Sequence, residues 1–406
     1  LRFYAPVFQA QGLEPVAGGG VADDAGTDPL APGSPVGAAL AIGDLNITGI
    51  GTVTLVDGRT VYAFGHPFLS AGAIETPMTE AQVLATFPSI SASFKLANAT
   101  APVGAIVRDG LTGIIGEQGR VASLIPVTAR ITSGTATRTF HYDIVRHRSW
   151  SPVLLALTLA NSLTRTTEFD PSVTLKLAAR IDVKGKPEVR LEDLYSSPNP
   201  AQPLHLALAN EIAGLFNLLY NNPFEAIDVA SVEADVQVLP PARVARLASL
   251  RASDTDLRPG DTFTVTAVLA SFRGEERSVS WKVTVPEDMP PGEAQIIVAG
   301  GAALDGLDRR VLERRLAQAG GLKDLMRVVG DLRPSDGLYL RMVRRAPSAI
   351  VRSDLLPDLP LSIFSVLNNP RLSADTTLMI EAPILELSKS LDVVVVGGRR
   401  ISIKVK

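Results

Sequence analysis

Gly49–Leu69, "GIGTVTLVDGRTVYAFGHPFL", is the stretch on which the fold turns. Two runs of alternating apolar and polar residues flank Asp57-Gly58, and this pair is the strongest short-range signal for a tight β-hairpin. After the second run the chain meets Gly65, His66 and Pro67. Proline cannot donate to a strand ladder, so pairing stops there and His66 is left at the rim of a sheet. Only four histidines occur in 406 residues, which makes this one worth explaining. It is either the general base of a hydrolase or a polar residue that closes the rim of a β-barrel.

Working outward, most of Val36 to Ile144 reads as strand. "VGAIVRDGLTGIIGE", "LIPVTARIT" and "TRTFHYDIV" alternate and are punctuated by glycine turns, as in a small barrel or sandwich. One helix is expected at "TEAQVLATFPSI", capped by Thr79. Residues 16–38 are rich in Gly, Ala, Asp and Pro without periodicity and are expected to form a mobile loop. A helix is expected from Ser151-Pro152, where serine caps and proline fits the first turn. A second helix, "PLHLALANEIAGLFNLLYNN", places Leu208, Ile212, Leu215 and Leu219 on one stripe. The strands "SVTLKLAARIDV" and "IDVASVEADVQVL" flank it, so 150–239 reads as an α+β region.

From Pro240 the period returns to two. "DTFTVTAVL" points Phe263, Val265, Ala267 and Leu269 one way, and "SVSWKVTV" does the same with Val279, Trp281, Val283 and Val285. Turn-like "LRPGD", "SFRGEER" and "PEDMPPGE" separate them, which reads as an immunoglobulin-like sandwich over 240–300. Residues 301–406 read as a helical pair, with Arg309, Arg310, Arg314 and Arg315 on a solvated face, followed by C-terminal strands. The expectation is therefore a mainly β chain in four parts: a β-barrel-like unit over 1–149, the α+β region over 150–239, the sandwich, and the strand-rich C-terminal region.

Bulk composition excludes several functions. The chain is 46% hydrophobic with a net charge of -3 and a mean hydropathy of +0.21. It can bury large cores, and it lacks the basic stripe of a nucleic-acid binder. No apolar run reaches the roughly 18 residues of a membrane-spanning helix. Cysteine is absent, which removes disulfides, thiolate catalysis and cysteine-held metals and agrees with an oxidising compartment. No pair of histidines has metal-ligand spacing, so neither a metal nor a cofactor is expected. The chain opens on Leu1 rather than methionine, so a preceding segment, with any export signal, is expected.

Serine, histidine and carboxylates leave a serine hydrolase open, which needs a nucleophile, a base within reach and an orienting acid. His66 is the candidate general base, and Asp109 is the nearest motif acid to orient it. His141 lies in a strand, His147 among arginines and His205 at a helix start. The nucleophile is unknown: Ser34 in "PGSPVG" is the nearest match to a glycine-flanked serine and reads as a turn serine. Gly110, Gly113 and Gly116, spaced by three, read as positions of close strand packing or bulges.

"GIGTVTLVDGRTVYAFGHPF" followed by "DGLTGIIGEQG" resembles the sporulation factor IV B (SpoIVB-type) serine peptidases. Asp57, Gly65 and His66, then Gly113, Gly116 and Glu117, fall on that family's pattern, in which the Gly-His supplies the catalytic histidine. "PMTEAQVLATFPSISASFKLAN" is similar to the longer bacterial envelope proteins that carry this domain. The likeness covers about 36–131. It implies a serine endopeptidase in an extracytoplasmic, envelope or periplasmic setting, with protein substrates or envelope partners and a capacity for self-association. The family's nucleophile lies in a G-M-S-G-S-P segment. No such segment occurs here, so the serine is expected upstream and the chain alone is expected to be inactive. The competing expectation is a non-catalytic envelope scaffold that binds partners through its β domains.

Overall fold

The computed structural model describes residues 4–10, 13, 15–16, 29–88, 94–166, 173–197, 203–271, 274–317, 319–351, 354–369 and 376–406. The chain is mostly β, as its alternating pattern requires. A short helix α1 (Ala5–Gln9) precedes eight strands: β1 (Pro35–Gly43), β2 (Ile47–Asp57), β3 (Thr60–Ala63), β4 (Gly72–Phe87), β5 (Phe94–Gly110), β6 (Gly113–Gln118), β7 (Leu124–Ser133) and β8 (Ala136–Val145). Then come α2 (Trp150–Thr166), β9 (Thr174–Val183), β10 (Val189–Ser196), α3 (Leu204–Tyr220) and β11 (Val229–Leu239).

All eleven strands belong to one sheet, in the order β10-β9-β11-β7-β8-β1-β2-β3-β6-β5-β4, and β4 also pairs with β1. That extra pairing closes a ring of six strands, β1-β2-β3-β6-β5-β4. β1 belongs to both parts: Val36–Ala38 face β4, and beyond a bulge after Ala39, Ala41–Gly43 face β8. Closing the ring protects the backbone edges it pairs. Parallel pairing of β11 with β7 carries the sheet across the boundary expected at 149/150. Helices α2 and α3 pack on its open part, where Leu154, Leu155, Leu159, Leu163, Leu208, Ile212 and Phe216 are fully buried. Each such side chain stabilises the fold by about 1.5–3 kcal/mol, so one core unites residues on either side of that boundary.

Two expectations are corrected here. "TEAQVLATF" is strand, not helix: it forms most of β4 and pairs with β5 from Gly72↔Asp109 to Phe87↔Phe94. Ala, Glu, Gln and Leu favour helix locally, but long-range pairing overrides a weak propensity. Thr79 is accordingly no cap; it is buried inside the strand beside Gly37. Residues 35–38, expected in the mobile loop, belong to β1, with Val36 and Ala38 in the core. Residues 17–28 of that loop lie outside the described residues.

The remainder contains β12 (Val244–Ala252), β13 (Asp256–Leu257), β14 (Thr262–Ser271), β15 (Glu276–Thr284), β16 (Gly292–Gly300), α4 (Gly301–Leu307), α5 (Arg309–Ala317), α6 (Leu322–Gly330), β17 (Gly337–Val351), β18 (Asp354–Leu356), α7 (Leu361–Leu367), β19 (Thr376–Ser390), β20 (Val394–Val396) and β21 (Gly398–Val405). One sheet runs β15-β14-β12-β20; the other runs β13-β21-β16-β17-β18, with β19 also on β17. The two bury a common core. Phe263, Val265, Ala267, Leu269, Val279, Trp281, Val283 and Val285 are all buried in it, as their alternation requires. Met342, Ile403 and Val405 complete it, so strands after residue 300 belong to the same packing unit as 240–300. Among the described residues no helix is long and apolar enough to cross a membrane.

Candidate functional site

The hairpin of β2 and β3 turns at Gly58, whose φ of 56° suits glycine. Arg59 in that turn donates from Nε and Nη2 to the Gln118 carbonyl at 3.0 and 2.7 Å, tying the hairpin to the end of β6. β3 ends at Ala63. Phe64 and Gly65 then both take positive φ, 77° and 76°, and the chain folds back over β2. For a bulky residue such as Phe64 this conformation costs about 1–3 kcal/mol and persists only where surroundings enforce it.

The enforcing contacts come from β2 and β5. The Phe64 ring fills the space over Gly51, where an added Cβ would stand 2.2 Å from it; the Phe68 ring does the same over Gly49, at 2.3 Å. The two rings meet edge to face, 5.6 Å between centroids. The Phe64 amide donates to the Thr52 carbonyl at 3.0 Å. Asp109, at the end of β5 and 2% exposed, accepts three backbone N–H groups of the loop. Its Oδ1 takes Phe68 at 2.7 Å; its Oδ2 takes Leu69 at 2.6 Å and Ala71 at 3.1 Å. Gly113, with φ 148°, lets β6 approach so closely that a Cβ would lie 2.6 Å from the Ala63 carbonyl. Gly116 likewise makes room for Met78.

On this clamped loop His66 is exposed. Its Nδ1 lies 2.8 Å from its neighbour's carbonyl oxygen, Pro67 O. A carbonyl only accepts, so the bond requires a proton on Nδ1; in the neutral ring this leaves Nε2 with the lone pair. The ring stands beside Phe64, 5.9 Å between centroids. The neutral ring in this tautomer, on an exposed residue, is the form a general base requires.

The structure brings His66 and Asp109 to one loop. Among the described residues, however, Asp109 makes no hydrogen bond to the imidazole; its carboxylate is occupied by backbone. Asp57 sits at the hairpin turn, and Glu117 pairs with Arg120 at 3.3 Å. Ser34 is a turn serine whose Oγ accepts the Ala31 amide at 3.1 Å. His141 is exposed on β8. His147 Nδ1 accepts the amides of Ser149 and Trp150, 3.2 and 3.3 Å, at the start of α2. Burial pushes its pKa down, with the nearby Asp109 charge opposing; burial also lowers His205. Among the described residues no cluster of His, Asp or Glu could hold a metal.

Sequence reading missed the seats at Gly49 and Gly51 and the role of the Pro67 carbonyl. The signal was present: two glycines two apart on a strand mark one face, and two aromatics follow in the return loop. No family model, no curated protein and no solved structure matches the chain. The likeness to sporulation factor IV B peptidases therefore rests on the motif residues themselves.

Proposed function

We propose that the chain carries the general-base half of a serine peptidase site of the sporulation factor IV B type, in an extracytoplasmic protein of a bacterial envelope. The observation that carries this reading is His66: exposed, its Nδ1–H committed to the Pro67 carbonyl, on a loop immobilised by Asp109 and two seated phenylalanines. Loops clamped this firmly around an exposed polar side chain belong to sites where geometry matters. In the reaction Nε2 takes the proton of an attacking serine and returns it to the leaving amine. The serine comes from a segment other than these 406 residues, which contain no G-M-S-G-S-P. Protein substrates or envelope partners then meet the site at the rim of the ring.

A fluorophosphonate probe tests this. Protein expressed from its native gene is labelled, and His66→Ala abolishes the label while His141→Ala does not. The 406-residue chain alone shows little label. Labelling that survives His66→Ala, or no label in any form, removes the peptidase reading.

The absent serine segment favours a second reading, in which the clamped loop and the sandwich are binding surfaces of a non-catalytic envelope scaffold. In that case His66→Ala weakens capture of an envelope partner and no probe labelling occurs.

A further inference from the structure

The Pro67–Phe68 peptide group is bonded at both ends. Its carbonyl accepts from His66 Nδ1 at 2.8 Å, and its N–H donates to Asp109 Oδ1 at 2.7 Å. The series therefore runs from carboxylate to amide to imidazole through a single planar peptide unit. We propose that Asp109 is the positioning acid of this site and acts on His66 through the Pro67–Phe68 peptide bond rather than by direct contact. The assignment rests on the reading of His66 as a base, but its test does not use peptidase activity.

The physical basis is polarisation. A carboxylate accepting an amide N–H draws that proton and pushes electron density toward the carbonyl oxygen of the same peptide. Chains of hydrogen bonds strengthen one another in this way, more so out of water. The bond to Asp109 is charge-assisted and sits where Asp109 and Phe68 are 2% and 5% exposed. The Pro67 oxygen becomes the better acceptor for Nδ1–H. The Leu69 and Ala71 amides on Oδ2, at 2.6 and 3.1 Å, fix the carboxylate so that Oδ1 stays aligned with Phe68. Pro67 adds a rigid φ next to the bonded carbonyl. A triad acid holds the imidazole tautomer by direct contact; here the same task passes through one amide.

Nuclear magnetic resonance of the ring carbons and nitrogens of His66 reads the tautomer directly. In the wild-type chain at neutral pH the ring is expected in the Nδ1–H form, opposite to the preference of free histidine. The Phe68 amide proton is expected far downfield. Asp109→Asn keeps the shape but loses the charge, and its amide nitrogen faces donors on one side. It is expected to shift His66 toward the Nε2–H form and move the Phe68 amide upfield, with His141 unchanged. A folded Asp109→Asn chain with the His66 tautomer unaltered overturns the proposal. Should that variant not fold, the wild-type spectrum decides: an Nε2–H ring, or an ordinary Phe68 amide shift, overturns it equally. Failure of probe labelling with these signatures intact would remove the peptidase and leave the relay.

Discussion

Gly51 shows at the scale of one residue how the site is held. An alanine there places its Cβ 2.2 Å from the Phe64 ring, a distance no real packing tolerates, and the ring is part of what keeps Phe64 at φ 77°. Gly51→Ala must therefore expel Phe64 or bend β2. The expected loss is about 1–3 kcal/mol, the usual range for forcing extra volume into a packed site, measured by denaturant unfolding. A variant as stable as wild type would mean that the aromatic seat does not constrain the loop. A contrasting substitution, Gly58→Asn, is expected to cost only a few tenths of a kcal/mol. Nothing lies within 4 Å of its added Cβ, and asparagine tolerates positive φ.

At the scale of elements, α2 depends on His147. Its Nδ1 accepts the amides of Ser149 and Trp150 at the helix start, a capping role that falls to His147 rather than to the expected Ser151, which lies inside α2, and that requires unprotonated nitrogen. Burial lowers its folded pKa below the ordinary value of 6.5. A group with a lowered pKa of this kind favours the fold when neutral. Its contribution is fully present above about pH 6.5 and is lost as pH falls through the folded value. Stability is thus expected to fall on acidification below pH 6.5. His147→Asn, which caps without titrating, should flatten part of that slope; His205, also lowered by burial, keeps the rest. Thermal unfolding of both proteins across pH 5–8 decides, and identical slopes would end the capping account. How legible these elements were in the sequence follows from how local their signals are. The Asp57-Gly58 hairpin, the Ser151-Pro152 helix start and the stripe of α3 are written within one element each. The fate of "TEAQVLATF" is not, because it is settled by pairing with another strand, from Thr79↔Pro102 to Phe87↔Phe94. Likewise His66 announces itself by its Gly-Pro setting, whereas nothing near Asp109 in sequence says that its carboxylate serves the backbone of residues 68–71.

At the scale of the whole molecule, two large cores are separate in composition. One unites the ring, the open sheet and helices α2 and α3; the other lies between the two sheets of the sandwich. Among the described residues few bonds join them: Asp193 of β10 accepts the amide and hydroxyl of Ser335 at 2.7 and 3.0 Å, and the Arg243 amide donates to Thr174 Oγ1 and Ser196 Oγ at 2.8 and 3.0 Å, while Leu322 and Leu325 of α6 pack into the first core. The sandwich also carries its own ion network. Arg341 pairs with Asp308 at 2.6 Å and Glu386 at 2.8 Å, and Arg333 reaches Glu386 at 2.9 Å, Asp308 at 3.0 Å and Asp305. Burial pushes the Glu386 carboxyl up, but the two arginines outweigh it and hold it below the ordinary value. Its contribution is therefore present above the ordinary carboxylate range and lost as pH falls through the lowered value. Glu386→Ala leaves the two guanidinium groups undercompensated. The cost is about 2 kcal/mol, below the 3–5 kcal/mol of a fully buried pair because the carboxylate is one-third exposed. Separate cores with few joining bonds are expected to unfold separately. Calorimetry at neutral pH should then show two transitions, with Glu386→Ala lowering one and Gly51→Ala lowering the other. A single transition that both substitutions lower alike would show instead that α6 and the Asp193–Ser335 bonds couple the two cores into one cooperative unit.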